Sequence, residues 1–394
     1  MNSKKYDGLG LFSGGLDGLL AIKLLEEQGL KIKPLHFFSP FFGFPAKRGH
    51  WKKVYGLDVS MIDVGQDFVD MLAKGPAYGV GKVINPCVDC KILLLTKART
   101  LLAKYDAKFI ATGEVVGQRP MSQRRDTLNV ISRDAQVRDV LLRPLCAKSL
   151  PPTPAEESGL VDRSRLGDFF GRGRKAQFEL AARYGITDLP TPAGGCLLTE
   201  KENARRYWPL FYFLNQPKAS YFYLANVGRQ YWFKNVWFSL GRNRQDNENL
   251  LSFFQEGDIC LSLKDFAGPL GLLRIITPEA PLQNVFATVA EEEPAVEPLV
   301  AVAPEDSVLL GEVLQQAGAL LASFAPQASK TDAAVVVQAK KIGPVQRQTG
   351  QETEFEDCVR ERLDFVVLPR RDSFFKELSW PEVSPCIKAR YKVP

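Results

Sequence analysis

Residues 8–18 read Gly8-Leu9-Gly10-Leu11-Phe12-Ser13-Gly14-Gly15-Leu16-Asp17-Gly18. A short apolar run of strand character passes through a glycine turn into helical spacing that reaches residue 28 and closes at Gly29. Strand, glycine loop and helix in that order open a parallel sheet, because parallel neighbours need a crossover and a helix is the usual one. Working outward, the alternation repeats: strands at 31–38 and 54–64, a long helix at 91–105, and a buried strand at 108–112 running into Gly113. The expected fold class is α/β, a parallel sheet sandwiched by helices over residues 1–205. A helical, aromatic-rich connector is expected at 206–220 and a smaller α+β domain at 221–394. Within the latter, 221–275 carries strand-like pieces separated by glycine and 279–306 is an acidic Pro/Ala-rich loop. Residues 307–323 have helical spacing, and 333–337 and 363–368 each read as a strand.

The length of 394 residues asks for two cores rather than one. Hydrophobic residues at 45% and charged residues at 24% exclude an unstructured scaffold. No apolar run approaches the ~20 residues that span a bilayer, and no signal-peptide stretch precedes the first strand, so a cytoplasmic protein without a membrane partner is expected. The net charge of +6 is modest, but it is unevenly placed. Residues 1–200 hold 29 Lys and Arg against 21 Asp and Glu, leaving the remainder slightly acidic. Any affinity for a polyanion is therefore expected in the first half.

The glycine loop has a physical reading. Glycines let the backbone approach a polyanion, and the following helix offers free N–H groups and the positive end of its dipole. A nucleotide phosphate is the natural ligand, although neither the Walker pattern nor the dinucleotide fingerprint is present. Ser13-Gly14-Gly15-Leu16-Asp17-Gly18 resembles the SGGxDS loop of the PP-loop ATP pyrophosphatases, which cleave ATP between the α and β phosphates and transfer AMP to a substrate oxygen. The resemblance implies that Ser13, Gly14, Gly15, Asp17 and Gly18 hold the pyrophosphate part of ATP, with Mg2+ balancing its charge. Gly18 stands where the pattern has serine, which removes one hydroxyl contact to phosphate. Ala111-Thr112-Gly113-Glu114 is similar to a segment lining the ATP site in tRNA thiouridine synthases, commonly with histidine where Glu114 stands, so Thr112 and Gly113 join the expected site. His36, at the end of the second strand, is either a base-packing residue or a buried imidazole satisfied by its surroundings.

Seven cysteines in a cytoplasmic chain this large are expected as free thiols, metal ligands or catalysts. Cys87 and Cys90 form a C-x-x-C pair leading into a helix, where thiol pKa falls, and no second pair completes a four-cysteine zinc site. Cys196 follows Gly194 and Gly195, which free the backbone to bring its thiol near something else. By resemblance to tRNA thiolases, Cys87, Cys90 and Cys196 hold a [4Fe-4S] cluster by three thiolates, leaving one iron open to sulfide. The alternative in the same family is a persulfide on one cysteine, resolved by another. Asp89 resembles an acidic residue that handles a proton at the target base, or else it caps the next helix. Cys146, Cys260, Cys358 and Cys386 read as core or surface thiols.

Between residues 117 and 148 seven basic residues, Arg119 among them, face three acidic ones, and Arg163, Arg165, Arg172, Arg174 and Lys175 follow. The strip is either an RNA-phosphate face or a salt-bridged surface. The segments 118–123 and 171–177 look like further motifs of the thiolase-like branch. The second half resembles the NFACT-R RNA-binding domain at Val227-Gly228-Arg229, at Leu240-Gly241-Arg242-Asn243 and at Asp265 to Pro269. There Tyr221, Tyr223, Tyr231, Trp232, Phe233 and Trp237 are candidates either for stacking on bases or for core. The chain opens directly on the nucleotide strand, whereas many 4-thiouridine synthases carry an RNA-binding module ahead of it, so RNA recognition is expected from the second domain or a partner. Together these features point to an ATP-dependent tRNA sulfurtransferase that adenylates a uridine carbonyl and replaces its oxygen with sulfur. Its expected partners are tRNA and a sulfur donor, either sulfide or a cysteine desulfurase or persulfide carrier, and a homodimer is compatible with the reading. Two alternatives keep the loop: sulfur insertion or amide formation on a small molecule, and a degenerate member that only binds RNA.

Overall fold

A computed structural model describes residues 5–190, 195–214, 216–276, 307–330, 333–344 and 355–391. The chain divides into two compact units, Met1–Glu200 with Tyr391–Pro394, and Lys201–Arg390. The first contains β1 (Gly8–Leu11), α1 (Leu16–Glu26), β2 (Ile32–Phe38), α2 (Arg48–Tyr55), β3 (Ser60–Asp63), α3 (Gly65–Lys74), α4 (Cys87–Tyr105), β4 (Phe109–Thr112), α5 (Arg125–Asp134), β5 (Leu141–Leu142), α6 (Pro154–Glu157) and α7 (Lys175–Arg183). Its five strands are all parallel, in the order β3-β2-β1-β4-β5. The expected helix-covered parallel sheet is present.

Strand periodicity explains the two layers, since successive side chains leave opposite faces. In β4, Phe109 and Ala111 enter the cluster around Leu19, Ile22 and Trp51. Ile110 enters the opposite cluster with Leu9, Leu35, Leu95 and Ile131. Full burial of each of these large aliphatic side chains stabilises the unit by about 1.5–3 kcal/mol. The strand order also locates a site. From β1 the chain proceeds outward to β2 and β3, then returns to the other side of β1 for β4 and β5. Such a reversal opens a crevice at the carboxyl ends of the two strands flanking it. Leu11 pairs with Thr112 there, so Ser13 and Gly113 leave the sheet side by side.

Two local readings change. Val54 and Tyr55 finish α2, which Gly56 stops in the left-handed conformation (φ 71°), so the strand expected over 54–64 is confined to Ser60–Asp63. The long helix expected from residue 91 starts at Cys87.

The second unit contains α8 (Lys201–Phe213), α9 (Ala219–Ala225), β6 (Arg229–Phe233), β7 (Val236–Leu240), α10 (Arg244–Ser252), β8 (Ile259–Leu263), β9 (Gly271–Ile275), α11 (Ser307–Ser323), β10 (Val335–Ile342), β11 (Val359–Val367) and α12, which begins at Trp380. Its six strands form an antiparallel sheet in the order β11-β10-β8-β9-β7-β6, whose core joins Phe238, Leu261 and Val337 to Ala317 and Leu321 of α11. Residues 206–220, expected as a connector, supply most of α8 and the start of α9. The loop at 279–306 lies outside the described residues.

Of the aromatic set of this unit, Tyr231, Trp232 and Trp237 are core and Tyr221, Tyr223 and Phe233 are half-buried. Tyr221 and Tyr223 belong to α9, not to a strand. Trp232 and Trp237 are buried and stack on each other with centroids 5.4 Å apart and planes within 5°. Arg229 lies over the Phe324 ring, and Arg242 is paired with Asp246 at 2.6 Å. Buried rings that stack on one another leave no face for a base.

Candidate functional site

The loop after β1 is built as its glycines require. Gly14 has φ 85°, a left-handed backbone that side-chain-bearing residues adopt only with strain. Gly15 is the N-cap of α1, extended and without a side-chain cap, so the first N–H groups of α1 keep their capacity for an incoming anion. Ser13 is exposed beside them. Asp17, in the first turn, accepts a hydrogen bond from Gln118 Nε2 at 2.9 Å on Oδ2, and the Arg174 guanidinium lies 3.9 Å away. Its Oδ1 is buried with no hydrogen-bond partner among the described residues. Burial raises the Asp17 carboxyl above its ordinary range, against the opposing pull of Arg174 and Gln118. An unfilled carboxylate oxygen beside a phosphate cradle is the hard donor that Mg2+ takes.

Gln118 also accepts from Gln177 Nε2 at 3.4 Å. The motif-like segments 118–123 and 171–177, whose roles the sequence left open, therefore meet at Asp17.

Two glycines at this point serve close approach. A Cβ on Gly113 would lie 2.3 Å from the Asp17 carbonyl carbon and 2.4 Å from the Gly18 nitrogen. The turn after β4 is thus pressed onto the first peptide bonds of α1. A Cβ on Gly18 would stand 3.0 Å from the Leu11 carbonyl oxygen, so the residue at this position is also tightly backed by β1.

Next to Gly113, Glu114 is buried. Its Oε2 accepts from Arg143 Nε at 3.0 Å and from Thr112 Oγ1 at 3.1 Å, while Oε1 lies 3.7 Å from the Lys91 ammonium. Burial alone would raise this carboxyl, but Lys91 and Arg143 together outweigh it and hold it below the ordinary range.

Cys87 and Cys90 occupy the first turn of α4, and Cys196 immediately precedes a 3-10 turn, Leu197–Thr199. That turn is tied down by Leu197 N–H donating to the Phe41 carbonyl (2.8 Å) and by the Leu198 carbonyl accepting from Ile84 N–H (3.3 Å). Residues 191–194 lie outside the described residues. All three thiols line one cavity of about 650 Å³ together with Ser13, Asp17 and Thr112. Burial pushes the Cys196 thiol up to about 11 and that of Cys90 higher still, and each feels a neighbouring cysteine as a further unfavourable charge. For Cys90, Lys91 opposes these effects. Asn85 donates to Cys87 Sγ at 3.3 Å.

Among the described residues no group of three or more His, Cys, Asp or Glu is arranged to hold a metal ion. The donors nonetheless suit an iron–sulfur group in kind, being three soft sulfurs on residues that line one cavity.

Two of the expected site residues do not line the cavity. Asp89 accepts from Ala77 N–H at 2.8 Å and Tyr78 N–H at 3.0 Å, one on each oxygen. It is buried and fastens the preceding loop to α4, with no face on the cavity. His36 is fully buried: its Nε2 accepts from Phe44 N–H at 2.8 Å, which leaves Nδ1 to donate to the Phe12 carbonyl at 2.8 Å. With both nitrogens used and Trp51 against its ring, it holds the 37–44 turn to β1 and has nothing to offer a nucleotide.

The residues whose roles the sequence did not reveal are Lys91, Arg143, Gln118 and Asn85. Lys91 and Asn85 flank the cysteine pair, so proximity to a motif was the available signal. Arg143 carries no such signal.

The basic strip is largely a salt-bridged surface. Arg124 pairs with Asp126, Arg133 with Asp134, Arg163 with Glu156 and Lys175 with Glu179, while Arg143 turns inward to the buried Glu114. Arg119 lines the cavity, and Arg172 is exposed next to a 68%-exposed Phe170. Among the described residues no helix is long and apolar enough to cross a membrane.

No family model matches the chain. A probable tRNA sulfurtransferase of Thermococcus kodakarensis is 28% identical over 140 residues, 34% of this chain and 35% of that protein. The tRNA-specific 2-thiouridylase MnmA of Nitratidesulfovibrio vulgaris is 30% identical over 200 residues, 45% of this chain and 51% of that protein. Among solved structures, a 4-thiouridine synthetase–RNA complex with bound ATP shares 16% identity over 52% of each chain, with a TM-score of 0.28. The chain thus spans between about a third and a half of the curated relatives it matches, and over those segments it is similar to tRNA-thiolating enzymes.

Proposed function

We propose that the chain is an ATP-dependent, AMP-forming tRNA sulfurtransferase that adenylates a uridine carbonyl and replaces its oxygen with sulfur. One observation carries this reading: the glycine loop Ser13–Gly18 and the thiols of Cys87, Cys90 and Cys196 line the same cavity. A phosphate site alone fits many enzymes, and a thiol cluster alone fits a structural metal. Their union fits a reaction in which a carbonyl oxygen is first made a leaving group and then displaced by sulfur.

In that reaction the N-terminal amides of α1 and the Gly14–Gly15 backbone hold the β and γ phosphates as pyrophosphate departs, and Asp17 supplies an oxygen to Mg2+. The uridine oxygen bonds to the α phosphorus as the bond to the β-phosphate oxygen breaks. Sulfur then bonds to the ring carbon and AMP leaves with the former carbonyl oxygen. Confining ATP, base and sulfur to one pocket makes a three-component encounter local. A [4Fe-4S] cluster held by Cys87, Cys90 and Cys196 would present sulfide at an open iron; without it, a persulfide placed on one of these cysteines by a persulfide-carrying donor would bond to the ring carbon through its outer sulfur, and a second cysteine would then break the S–S bond, leaving a cysteine disulfide for a thiol reductant to reopen. Cavity-lining Arg119 and exposed Arg172 and Phe170 are suited to meet RNA phosphates and an unpaired base. The NFACT-R-like second unit is assigned no chemical step.

The test is anaerobic incubation of the reconstituted protein with tRNA, ATP, Mg2+ and sulfide. Pyrophosphate release coupled to a thiolated nucleoside is expected, abolished in Cys87→Ala, Cys90→Ala and Cys196→Ala. Neither product from wild type overturns the reading.

A further inference from the structure

Glu114 is a buried carboxylate at the cavity wall with one oxygen saturated and the other not. Oε2 is filled by Arg143 and Thr112. Oε1 has no hydrogen-bond partner among the described residues and faces the Lys91 ammonium at 3.7 Å, beyond hydrogen-bond reach. An ionised carboxylate oxygen is completed by a cation or by an N–H or O–H, and with the Lys91 ammonium 3.7 Å away and Arg143 on the other oxygen a further cation is disfavoured, which leaves a donor N–H or O–H.

Position selects among such groups. Glu114 follows Gly113, which is pressed onto the Asp17–Gly18 peptide of the phosphate loop, and it shares an ion pair with Lys91, the residue after Cys90. It therefore stands between the phosphate loop and the thiols, where a reacting carbonyl has to sit to be reached from both sides. A phosphate oxygen is itself an acceptor and cannot complete Oε1. A uracil edge, in contrast, carries N3–H flanked by its two carbonyls, the donor this acceptor lacks.

We propose that Glu114 Oε1 accepts a hydrogen bond from N3–H of the target uracil, fixing which carbonyl faces the loop and rejecting cytosine, whose N3 is an acceptor. This rests on the sulfurtransferase reading, and it adds a base-recognition residue that the motif comparison did not provide. An acceptor facing an acceptor, both buried, costs on the order of tenfold or more in binding.

The test uses the full chain with three synthetic RNAs, oligoadenylate decamers carrying one uridine, one 3-methyluridine or one cytidine at the centre. Retention is measured at low salt with a non-hydrolysable ATP analogue present. The uridine decamer is expected to bind at least about tenfold more tightly than the other two. In Glu114→Gln, whose amide can rotate to donate, the preference for uridine over cytidine should collapse. Equal retention of the three by wild type, including no retention, overturns the proposal. Because that arm needs no variant, it stands even if Glu114→Gln fails to fold. The two readings fail separately: tRNA thiolation without uridine preference sinks only the role of Glu114, whereas uridine preference without thiolation sinks only the sulfurtransferase reading.

Discussion

Replacing Gly113 with alanine should disable the first unit at one contact. The added Cβ would lie 2.3 Å from the Asp17 carbonyl carbon, 2.4 Å from Gly18 nitrogen and 2.5 Å from Asp17 oxygen. Ordinary contact begins near 3.4 Å, so β4 and the first turn of α1 must separate by about 1 Å. The obstacles are backbone on an element packed from both sides, which places the cost at the upper end of overpacking, about 3 kcal/mol. For a unit of this size that is a fall in melting temperature of roughly 6–12 °C. The same displacement moves the helix N-terminus that is to meet phosphate, and a shift near 1 Å in a positioned group costs up to about a hundredfold in rate. Differential scanning calorimetry reads the first quantity and isothermal titration with ATP and Mg2+ the second. Gly49→Ala is the control, since nothing lies within 4 Å of a Cβ at that position in α2 and the change should be neutral or mildly stabilising. The reasoning is refuted if Gly113→Ala melts within a degree of wild type and binds ATP equally well.

Restoring the serine usual in the resembling loop, Gly18→Ser, meets the Leu11 carbonyl at 3.0 Å rather than an impossible contact, so a loss of about 1 kcal/mol or less is expected in urea denaturation. A loss as large as that of Gly113→Ala would contradict this packing. In reduced, metal-free protein at pH 8, Cys196, with its pKa raised to about 11, should react with iodoacetamide roughly 100-fold more slowly than in urea, and Cys90 more slowly still. Mass spectrometry after timed quenching checks this, and equal rates would mean that the pocket does not shield the thiols. His36 is held neutral in the fold, with burial lowering its pKa below the ordinary 6.5. Its contribution is therefore present above pH 6.5 and lost as pH falls through the lower folded value. Melting temperatures of wild type and His36→Asn should converge as pH drops from 7 toward 5, and parallel curves would count against that tautomer.

How much was legible depended on whether the partners of a residue are its sequence neighbours. The loop Ser13–Gly18 could be read because strand, glycines and helix are contiguous, and Cys87 with Cys90 because a three-residue spacing on one turn puts them together. Cys196 could be matched to them only through a family pattern, and the sheet then brings it to the same cavity. Asp89 and His36 were left with two readings each because a carboxylate beside a cysteine, or an imidazole at a strand end, does not reveal its own hydrogen-bond partners. Those are amides 11 and 12 residues away for Asp89, and a carbonyl and an amide 24 and 8 residues away for His36. Arg143, counted only within the basic strip, hid its partner for the same reason, reaching Glu114 from 29 residues along the chain. The segment around Tyr221 and Tyr223 has strand-like composition and forms helix α9, a case of packing overriding propensity.

The contact of Lys91 with Glu114 has a thermodynamic consequence. Lys91 follows Cys90 on α4, while Glu114 follows the glycine that is wedged against the phosphate loop. Ligands at the two ends of this chain of contacts are thus bound by one connected body, and their affinities are linked by reciprocity. On the proposed function, by whatever factor nucleotide would strengthen or weaken the grip of the thiols on iron or sulfur, the loaded thiols would change the affinity for nucleotide by that same factor. Measuring ATP affinity before and after loading therefore reports the state of the sulfur end without touching it.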